Sequence, residues 1–370
     1  MHTHDEDAML RYIEAEPEFI REIVGNRKRY TAAFVEHFLK HPVKRVYLSG
    51  NGSPHSVCEV AGMCIEALLG VEASSSLPAI LNRHKPFNAG GVYRPEEMLL
   101  ICPAQTGRTA GPIESARRAR AAGIPVLCTT LAPDGVLARE SDIVIEKPTG
   151  YEESFPESKG HVASMTILLL CAVEAAHALG RMDEETYGRC LDGFSRLPGS
   201  CERAIAAAKA WYAVHRETML AADAYRFVGY GPCWGMLQES CLKILETTRK
   251  PSMAYELEEF LHGSGYGVKE DSVVFFVCAE DGPERERTQE IYRWFAGKSR
   301  NCVLVTSSRT PGRRPNWLVS DFLDLPFLSA VEYLIPFQVL SHLTARDMGL
   351  STLTQAYPEI FTELHAIVEA

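Results

Sequence analysis

The chain has 370 residues, of which 46% are hydrophobic and 23% charged, and its formal net charge is −10. This composition is ordinary for a soluble globular protein, and the length suggests two domains. The acidic balance argues against a nucleic-acid binder, which would normally carry a basic stripe.

The first forty residues have the apolar spacing of helices, and strands then alternate with helices. Four strands are predicted in the segments VKRVYLSGNG, EMLLICPAQTGRT, IPVLCTT and DIVIEKP. Three helices are predicted in PHSVCEVAGMCIEALLG, AGPIESARRARAAG and the apolar GHVASMTILLLCAVEAAHALG. This alternation predicts βαβ units and a parallel sheet.

A long helix, predicted from Asp183 to Ala222, connects this half to a second copy of the pattern. The copy contains strands in YRFVGYG, SVVFFVCAE and NCVLVTS, with helices in PCWGMLQESCLKILETTRK and ERERTQEIYRWFAG. We therefore expect two α/β sandwiches. The predicted domains are an N-terminal helical segment (1–40), a first domain (41–200), a second domain (201–350) and a tail (351–370).

The eleven cysteines are scattered singly, and several lie inside apolar runs, so we expect reduced thiols. The N-terminus has neither the basic region nor the apolar core of a signal peptide. The longest apolar run, MTILLLCAVEAA, is too short to span a bilayer and contains Glu174. These features predict a cytoplasmic protein with no membrane partner and no nucleic-acid partner.

The loops beyond the carboxyl ends of parallel strands are where ligands bind in open sheets. The loop PAQTGRTAG places Gln105, Thr106, Arg108 and Thr109 between a strand and a helix. Its hydroxyl groups, flexible glycine and helix N-terminus make a potential anion site, although Thr109 could simply cap its helix. Ser53 lies in a second glycine turn of this kind.

Several familiar motifs are absent from the sequence. It has no GxxxxGK[ST], HExxH or GxSxG segment, and the GxGxxG pattern fails because its last position is His55. His2 and His4 could suggest a metal site, but a frayed terminus explains them better, and no metal is expected.

The helix ESCLKILE carries Glu239, Lys243 and Glu246 at positions i, i+4 and i+7, which places all three on one stripe. The stripe could be a solvated salt-bridge face, with the apolar side chains on the other side, or an acid–base site. Because the helix follows a glycine turn, we expect the stripe to point toward the end of a sheet. His262 follows sixteen residues after Glu246.

Four of these segments resemble the sugar isomerase (SIS) domain family, especially the isomerase half of glucosamine-6-phosphate synthase and its stand-alone relatives. AQTGRT is similar to the phosphate loop SQSGET, and VASM to the turn VAST. ESCLKILE is similar to EGALKLKE, and EEFLHGS to GELKHGP. The resemblance covers about residues 43–350 and implies an α/β fold of two tandem SIS domains, each a mainly parallel sheet flanked by helices in three layers.

The resemblance also implies roles for the catalytic residues. Glu246 would move a proton between C1 and C2 of an open-chain phosphosugar, with Lys243 near the sugar oxygens. His262 would assist ring opening or protonate a leaving group, reaching the site from a neighbouring subunit. This implies a homodimer or a higher homo-oligomer. No metal or organic cofactor is required.

The implied phosphate- or sugar-binding residues are Gln105, Thr106, Thr109 and Ser164, joined by Ser53. The chain departs from the family pattern at Ala104, where a hydroxyl is lost, and at Arg108, which replaces a glutamate and could contact a phosphate or another anionic group. The segment before VASM and the tail, which lacks lysine, also differ. No glutaminase domain is seen, so the synthase reaction is not expected.

Three functions remain open at this point. The favoured one is a deglycase that cleaves fructosamine 6-phosphates, because the glutamate, the histidine sixteen residues later and the aromatic-rich strand look like that group. The alternative is a glucosamine- or galactosamine-6-phosphate deaminase or isomerase. The third is a non-catalytic phosphosugar-binding regulator, although a pure binder needs neither Glu246 nor His262.

Overall fold

The computed structural model describes residues 6–368. His2 and His4 lie outside them. The strands are β1 (Arg45–Ser49), β2 (Glu72–Ser76), β3 (Met98–Pro103), β4 (Val126–Thr130), β5 (Ile143–Glu146), β6 (Tyr225–Gly229), β7 (Ser252–Glu256), β8 (Val273–Cys278), β9 (Cys302–Ser307) and β10 (Leu318–Ser320).

The helices are α1 (Ala8–Gly25), α2 (Arg27–Lys40), α3 (Ser53–Leu69), α4 (Pro78–Arg83), α5 (Ala110–Ala121), α6 (Val136–Arg139), α7 (Lys159–Ala178), α8 (Glu184–Ala221), α9 (Cys233–Thr248), α10 (Pro283–Phe295), α11 (Ser329–Glu332), α12 (Leu334–Asp347) and α13 (Ile360–Glu363).

The strands form two parallel five-stranded sheets with the same topology. The order is β2-β1-β3-β4-β5 in one sheet and β7-β6-β8-β9-β10 in the other. Each sheet is flanked by helices, so the predicted pair of tandem three-layer α/β domains is confirmed. In both sheets the strand order reverses between the first and third strands, which is where open sheets of this order bind ligands.

The chain divides into two compact units, each built around one sheet. The first unit comprises Glu18–Tyr151, Lys159–Asp192 and the described residues from Gln355 onward. The second unit comprises the described residues up to Pro17, together with Glu152–Ser158 and Gly193–Thr354.

The first unit is built on short strands whose residues alternate between two covered faces. On one face, buried side chains of β3 and β4, such as Leu100 and Val126, pack with Ile113 of α5. On the other face α3 packs against α7, and nearly all of α7 is buried. By length and composition α7 could cross a membrane, but 83% of its most apolar stretch is buried inside the structure, as in the core helix of a globular domain.

The second unit has a more aromatic core. Phe276 of β8 packs with Phe260, and with Tyr292 and Phe295 of α10. Every residue of β8 and β9 is buried, as expected for the central strands of a parallel sheet covered on both faces. The chain's eleven cysteines are free thiols, and nine of them are buried.

Candidate active site

The predicted phosphate loop lies in the first unit, between β3 and α5. Gly107 has a φ of +66°, and a Cβ added there would lie 3.1 Å from the Cβ of Leu137, so a side chain is disfavoured on two grounds. Thr109 holds the N-cap position of α5 but makes no side-chain capping bond. Its exposed hydroxyl therefore remains available to a ligand, together with the backbone N–H groups of the helix terminus.

The turn after β1 follows the strand that pairs with β3, and it borders a cavity together with the phosphate loop. The cavity measures about 390 Å³ and is lined by Asn51 of this turn, by Thr109, and by Phe361 and Ala366 of the tail. Ser53 begins α3 two residues after Asn51 and is buried. The structure thus brings the two predicted glycine turns together at the point where the strand order reverses, and the cavity is large enough for a sugar phosphate.

The tail is more ordered around this loop than the sequence indicated. The Ala110 N–H donates to the Ala366 carbonyl at 2.9 Å, and the Val368 N–H donates to the Arg108 carbonyl at 2.8 Å. The Arg108 guanidinium also donates from Nε to the Val368 carbonyl, at 3.2 Å. Arg108 is therefore engaged by the tail in this structure. No sequence signal reveals this pairing, because it joins residues some 260 positions apart.

Ser164 and Gln105 lie at different depths. Ser164 is buried within α7, where its hydroxyl lies 3.1 Å from that of Thr129 on β4. Gln105 is partly exposed, whereas Thr106 beside it is exposed. Of the predicted binding residues, Thr109 lines the cavity directly.

A buried lysine that the sequence interpretation missed contacts this loop. Lys147 directly follows β5 and is only 3% exposed. Its Nζ donates to Gln105 Oε1 at 2.5 Å and to the Gly160 carbonyl at 3.2 Å. The available signal was its position at the carboxyl end of a parallel strand, in the segment EKPTG.

The charged stripe on α9 lies in the second unit and is not a solvated face. Glu239 and Lys243 are fully buried, whereas the apolar Leu245 of the same helix is 42% exposed. Lys243 Nζ lies 2.7 Å from Glu246 Oε2 and 3.3 Å from Glu239 Oε1. Of the two interpretations of the stripe, the solvated salt-bridge face is excluded, because this side of the helix packs inward.

Burial and charge act in opposite directions on these groups. Burial raises the pKa of Glu246 above its ordinary value, although Lys243 acts to lower it. Burial also opposes the charge of Lys243, but Glu239 and Glu246 outweigh it and raise the pKa of the ammonium group. The neighbouring carboxylates thus favour the charged form of Lys243, and burial makes Glu246 more basic than an exposed carboxylate.

The position of Glu246 differs from the prediction in one respect. It lies in the last turn of α9, thirteen residues after the helix begins at Cys233. At 1.5 Å per residue this is about 20 Å from the glycine turn. The first turn of α9 follows the carboxyl end of β6, so Glu246 is not at that edge of its own sheet.

A further buried acid accompanies this cluster. Glu16 of α1 is fully buried, and neither of its carboxylate oxygens has a hydrogen-bond partner within 3.5 Å. Burial, followed by the nearby Glu152, raises its pKa well above the ordinary value; Gln338 acts to lower it, and Glu239 adds a smaller increase. The sequence interpretation missed Glu16 because an acid in an amphipathic helix is normally assigned to the solvent face.

His262 is exposed at the end of a short turn, Glu259–Leu261. Its backbone N–H donates to the Glu259 carbonyl, and its ring lies near Glu258. Within the described chain, His262 is not paired with Glu246, which bonds to Lys243 instead. Among residues 6–368, no group of three or more His, Cys, Asp or Glu side chains is arranged to hold a metal ion.

The chain has recognisable relatives, although no protein-family model matches it. It is 22% identical over 311 residues to the glutamine–fructose-6-phosphate aminotransferase (isomerizing) of Zymomonas mobilis, a match that covers 83% of this chain and 50% of that protein. The chain thus spans about half the length of the curated relatives it matches.

Solved structures share the fold. The C-terminal domain of glucosamine-fructose-6-phosphate aminotransferase from Francisella tularensis superposes with a TM-score of 0.84, at 18% identity, and covers 95% of this chain and 99% of that one. Glucosamine-6-phosphate deaminase from Thermotoga maritima gives 0.70 at 19% identity, over 92% and 97%. These matches confirm the predicted resemblance to the SIS proteins.

Proposed function

We propose that the protein is a phosphosugar enzyme of the SIS type, and that it cleaves fructosamine 6-phosphates, which are amino-acid adducts of fructose 6-phosphate. The observation that carries the proposal is the contact between the buried Lys243 and the partly buried Glu246, at 2.7 Å, on the helix that resembles the family's catalytic segment. A buried lysine whose charged form is favoured, beside a carboxyl group of raised pKa, suits proton transfer next to a carbonyl.

In this proposal Glu246 acts as the base and then as the acid. Its carboxylate removes a proton from C1 of the open-chain substrate, and the electrons move to the C2 oxygen, where Lys243 stabilises the developing negative charge. Glu246 then returns the proton to C2 while the nitrogen lone pair forms the C1=N bond and the amine proton passes to the C2 oxygen, which leaves an imine at C1 and a hydroxyl group at C2. Addition of water to C1 and cleavage of the C–N bond release glucose 6-phosphate and the free amino acid.

His262 would assist ring opening or protonate the departing amine. Its exposure in the described chain fits a residue that serves the site of a neighbouring subunit, so we propose a homodimer or a higher homo-oligomer. The phosphate would lie at the loop of the first unit, against Gln105, Thr106 and Thr109, with Ser53 and Ser164 supporting the loop. A cytoplasmic location stays a prediction.

Two other functions remain as alternatives. A glucosamine- or galactosamine-6-phosphate deaminase would use the same proton transfer, and the fold match to the Thermotoga maritima deaminase is consistent with it. A non-catalytic phosphosugar-binding regulator would need the phosphate cavity alone. The buried pair of Lys243 and Glu246 favours turnover, because burying these charges is costly and a binder gains nothing from a basic carboxylate.

An assay panel tests the proposal. The purified protein is given fructosamine 6-phosphates with different amino acids, glucosamine 6-phosphate, galactosamine 6-phosphate, and fructose 6-phosphate with ammonia. We expect amino-acid release from at least one fructosamine 6-phosphate. Ammonia release from an aminosugar phosphate alone would support the deaminase, whereas binding of fructose 6-phosphate without any turnover would support the regulator.

A further inference from the structure

Lys147 is a buried charge that the proposed mechanism does not use. It lies at the carboxyl end of β5, the same edge of the sheet as the phosphate loop after β3. Forty-two residues separate it from Gln105, yet the two side chains meet at 2.5 Å. A lysine is rarely buried to this extent without a specific role.

The contact fixes the orientation of the Gln105 amide. An ammonium group can only donate hydrogen bonds, so the amide oxygen must face Lys147. The nitrogen of the same amide then lies on the side away from Lys147. The backbone holds the loop in the same position, because the Gln105 carbonyl accepts from the Leu131 N–H at 2.9 Å and the Thr130 hydroxyl at 3.3 Å.

Both the backbone and the ammonium group of Lys147 form hydrogen bonds with neighbouring segments. Its backbone N–H donates to the Thr130 carbonyl at 2.9 Å, and its ammonium group also donates to the Gly160 carbonyl at the start of α7. The charge is therefore fixed behind the loop before any ligand arrives. A preorganised donor and a preorganised charge lower the cost of ordering the loop around an anion.

We propose that Lys147 is a positioning residue of the phosphate subsite, which orients the Gln105 amide toward a phosphate ester and supplies positive charge behind it. This inference rests on the proposed function in placing a phosphosugar at the loop. It extends that function by assigning a residue outside the segments that carry the family resemblance.

Calorimetric titration of the full chain with fructose 6-phosphate and with inorganic phosphate tests the inference. Lys147→Met should weaken the binding of both ligands at least tenfold. Lys44 directly precedes β1, at the edge of the sheet opposite to Lys147. Lys44→Met should therefore leave the affinity for both ligands unchanged. Lys147 acts through Gln105, so Lys147→Met should matter less when Gln105 is absent. In a Gln105→Ala background it should change the logarithm of the dissociation constant by less than half as much as in the wild type.

Two results would overturn the inference: unchanged binding by Lys147→Met, or fully additive effects in the double variant. If Lys147→Met does not fold, Lys147→Gln replaces it, since its amide can still donate to both oxygens; affinity equal to that of the wild type would then contradict the role of the charge. If Lys147→Met weakens phosphate binding but the wild type releases no amino acid from any fructosamine 6-phosphate, the proposed function fails and the inference stands. If the wild type binds neither phosphate nor fructose 6-phosphate, both fail.

Discussion

The two sheets have the same strand order, but their corresponding loops carry opposite chemistry. In the first unit the loop after β3 is polar, holds an arginine and borders a cavity. In the second unit the loop after β8 contains Glu280 and Asp281, and the first turn of α10 adds Glu284 and Glu286. The buried Arg285 in the same turn of α10 forms salt bridges with Asp324 and Asp281, each at 2.9 Å.

The difference shows how a repeated fold divides its tasks. An anion approaching the second loop meets carboxylates at a helix N-terminus whose positive end they already neutralise. An anion approaching the first loop meets free hydroxyl groups and an oriented amide. The second unit instead contributes a buried cluster of charges on α9. The first loop thus offers anion donors that the corresponding loop of the second unit lacks, and the α9 cluster offers the buried charges that the proposed proton transfer needs.

Removing the central cation of the α9 cluster should have the largest effect on stability. Lys243→Met leaves Glu239 fully buried without the ammonium group, and we expect the free energy of unfolding to fall by about 3–5 kcal/mol. Urea denaturation measures this. The double variant Glu239→Gln/Lys243→Met, which also removes the buried carboxylate, should recover most of the loss.

An exposed pair provides the matched control. Lys40 and Glu36 are also four residues apart, but both are more than 60% exposed, so Lys40→Met should leave the midpoint of urea denaturation unchanged. If the double variant Glu239→Gln/Lys243→Met lost as much free energy of unfolding as its two single variants lose together, the charges would not be compensating each other.

The division of tasks also predicts how the two loops respond to substitution. Thr109→Val keeps the shape of the side chain and removes the hydroxyl, so the affinity for fructose 6-phosphate should fall about 10- to 100-fold. Asp281→Asn in the corresponding second loop should leave the affinity unchanged. Calorimetric titration measures both, and equal effects of the two substitutions would contradict the assignment of the phosphate to the first unit.

The last prediction concerns the pH dependence of the stability difference between the wild type and Glu16→Gln. The folded-state pKa of Glu16 is raised, so below about pH 4.5 its carboxyl group is protonated in both states and Glu16→Gln should change little. Above that pH the unfolded wild type loses the proton and the folded one keeps it. Wild-type stability therefore falls relative to Glu16→Gln by about 1.4 kcal/mol per pH unit, up to the folded-state pKa.

Urea denaturation at several pH values between 4 and 7 checks this prediction. A stability difference that is constant across the series would show that Glu16 is not buried as a neutral acid.

Much of this architecture follows from local patterns. Seven of the ten described strands, the glycine turns and the long α8 could be predicted because each depends on a periodic run and its flanking residues; the short edge strands β2, β7 and β10 were not predicted. Lys147 could not be, because its role depends on a contact between β5 and a loop two strands away. The burial of Glu239 and Lys243 was missed for a similar reason: the stripe with opposite charges resembles a surface face, and only tertiary packing shows that it is covered.

The most direct test of the account separates binding from chemistry in Glu246→Gln. The amide keeps the size of the side chain and can still accept from Lys243, but it cannot take a proton from C1. We expect turnover of a fructosamine 6-phosphate to fall by about 10²–10⁴-fold or more, while the dissociation constant for fructose 6-phosphate stays within about threefold of the wild type. A variant that remains active, or that loses binding together with turnover, would contradict the assignment of proton transfer to the second unit.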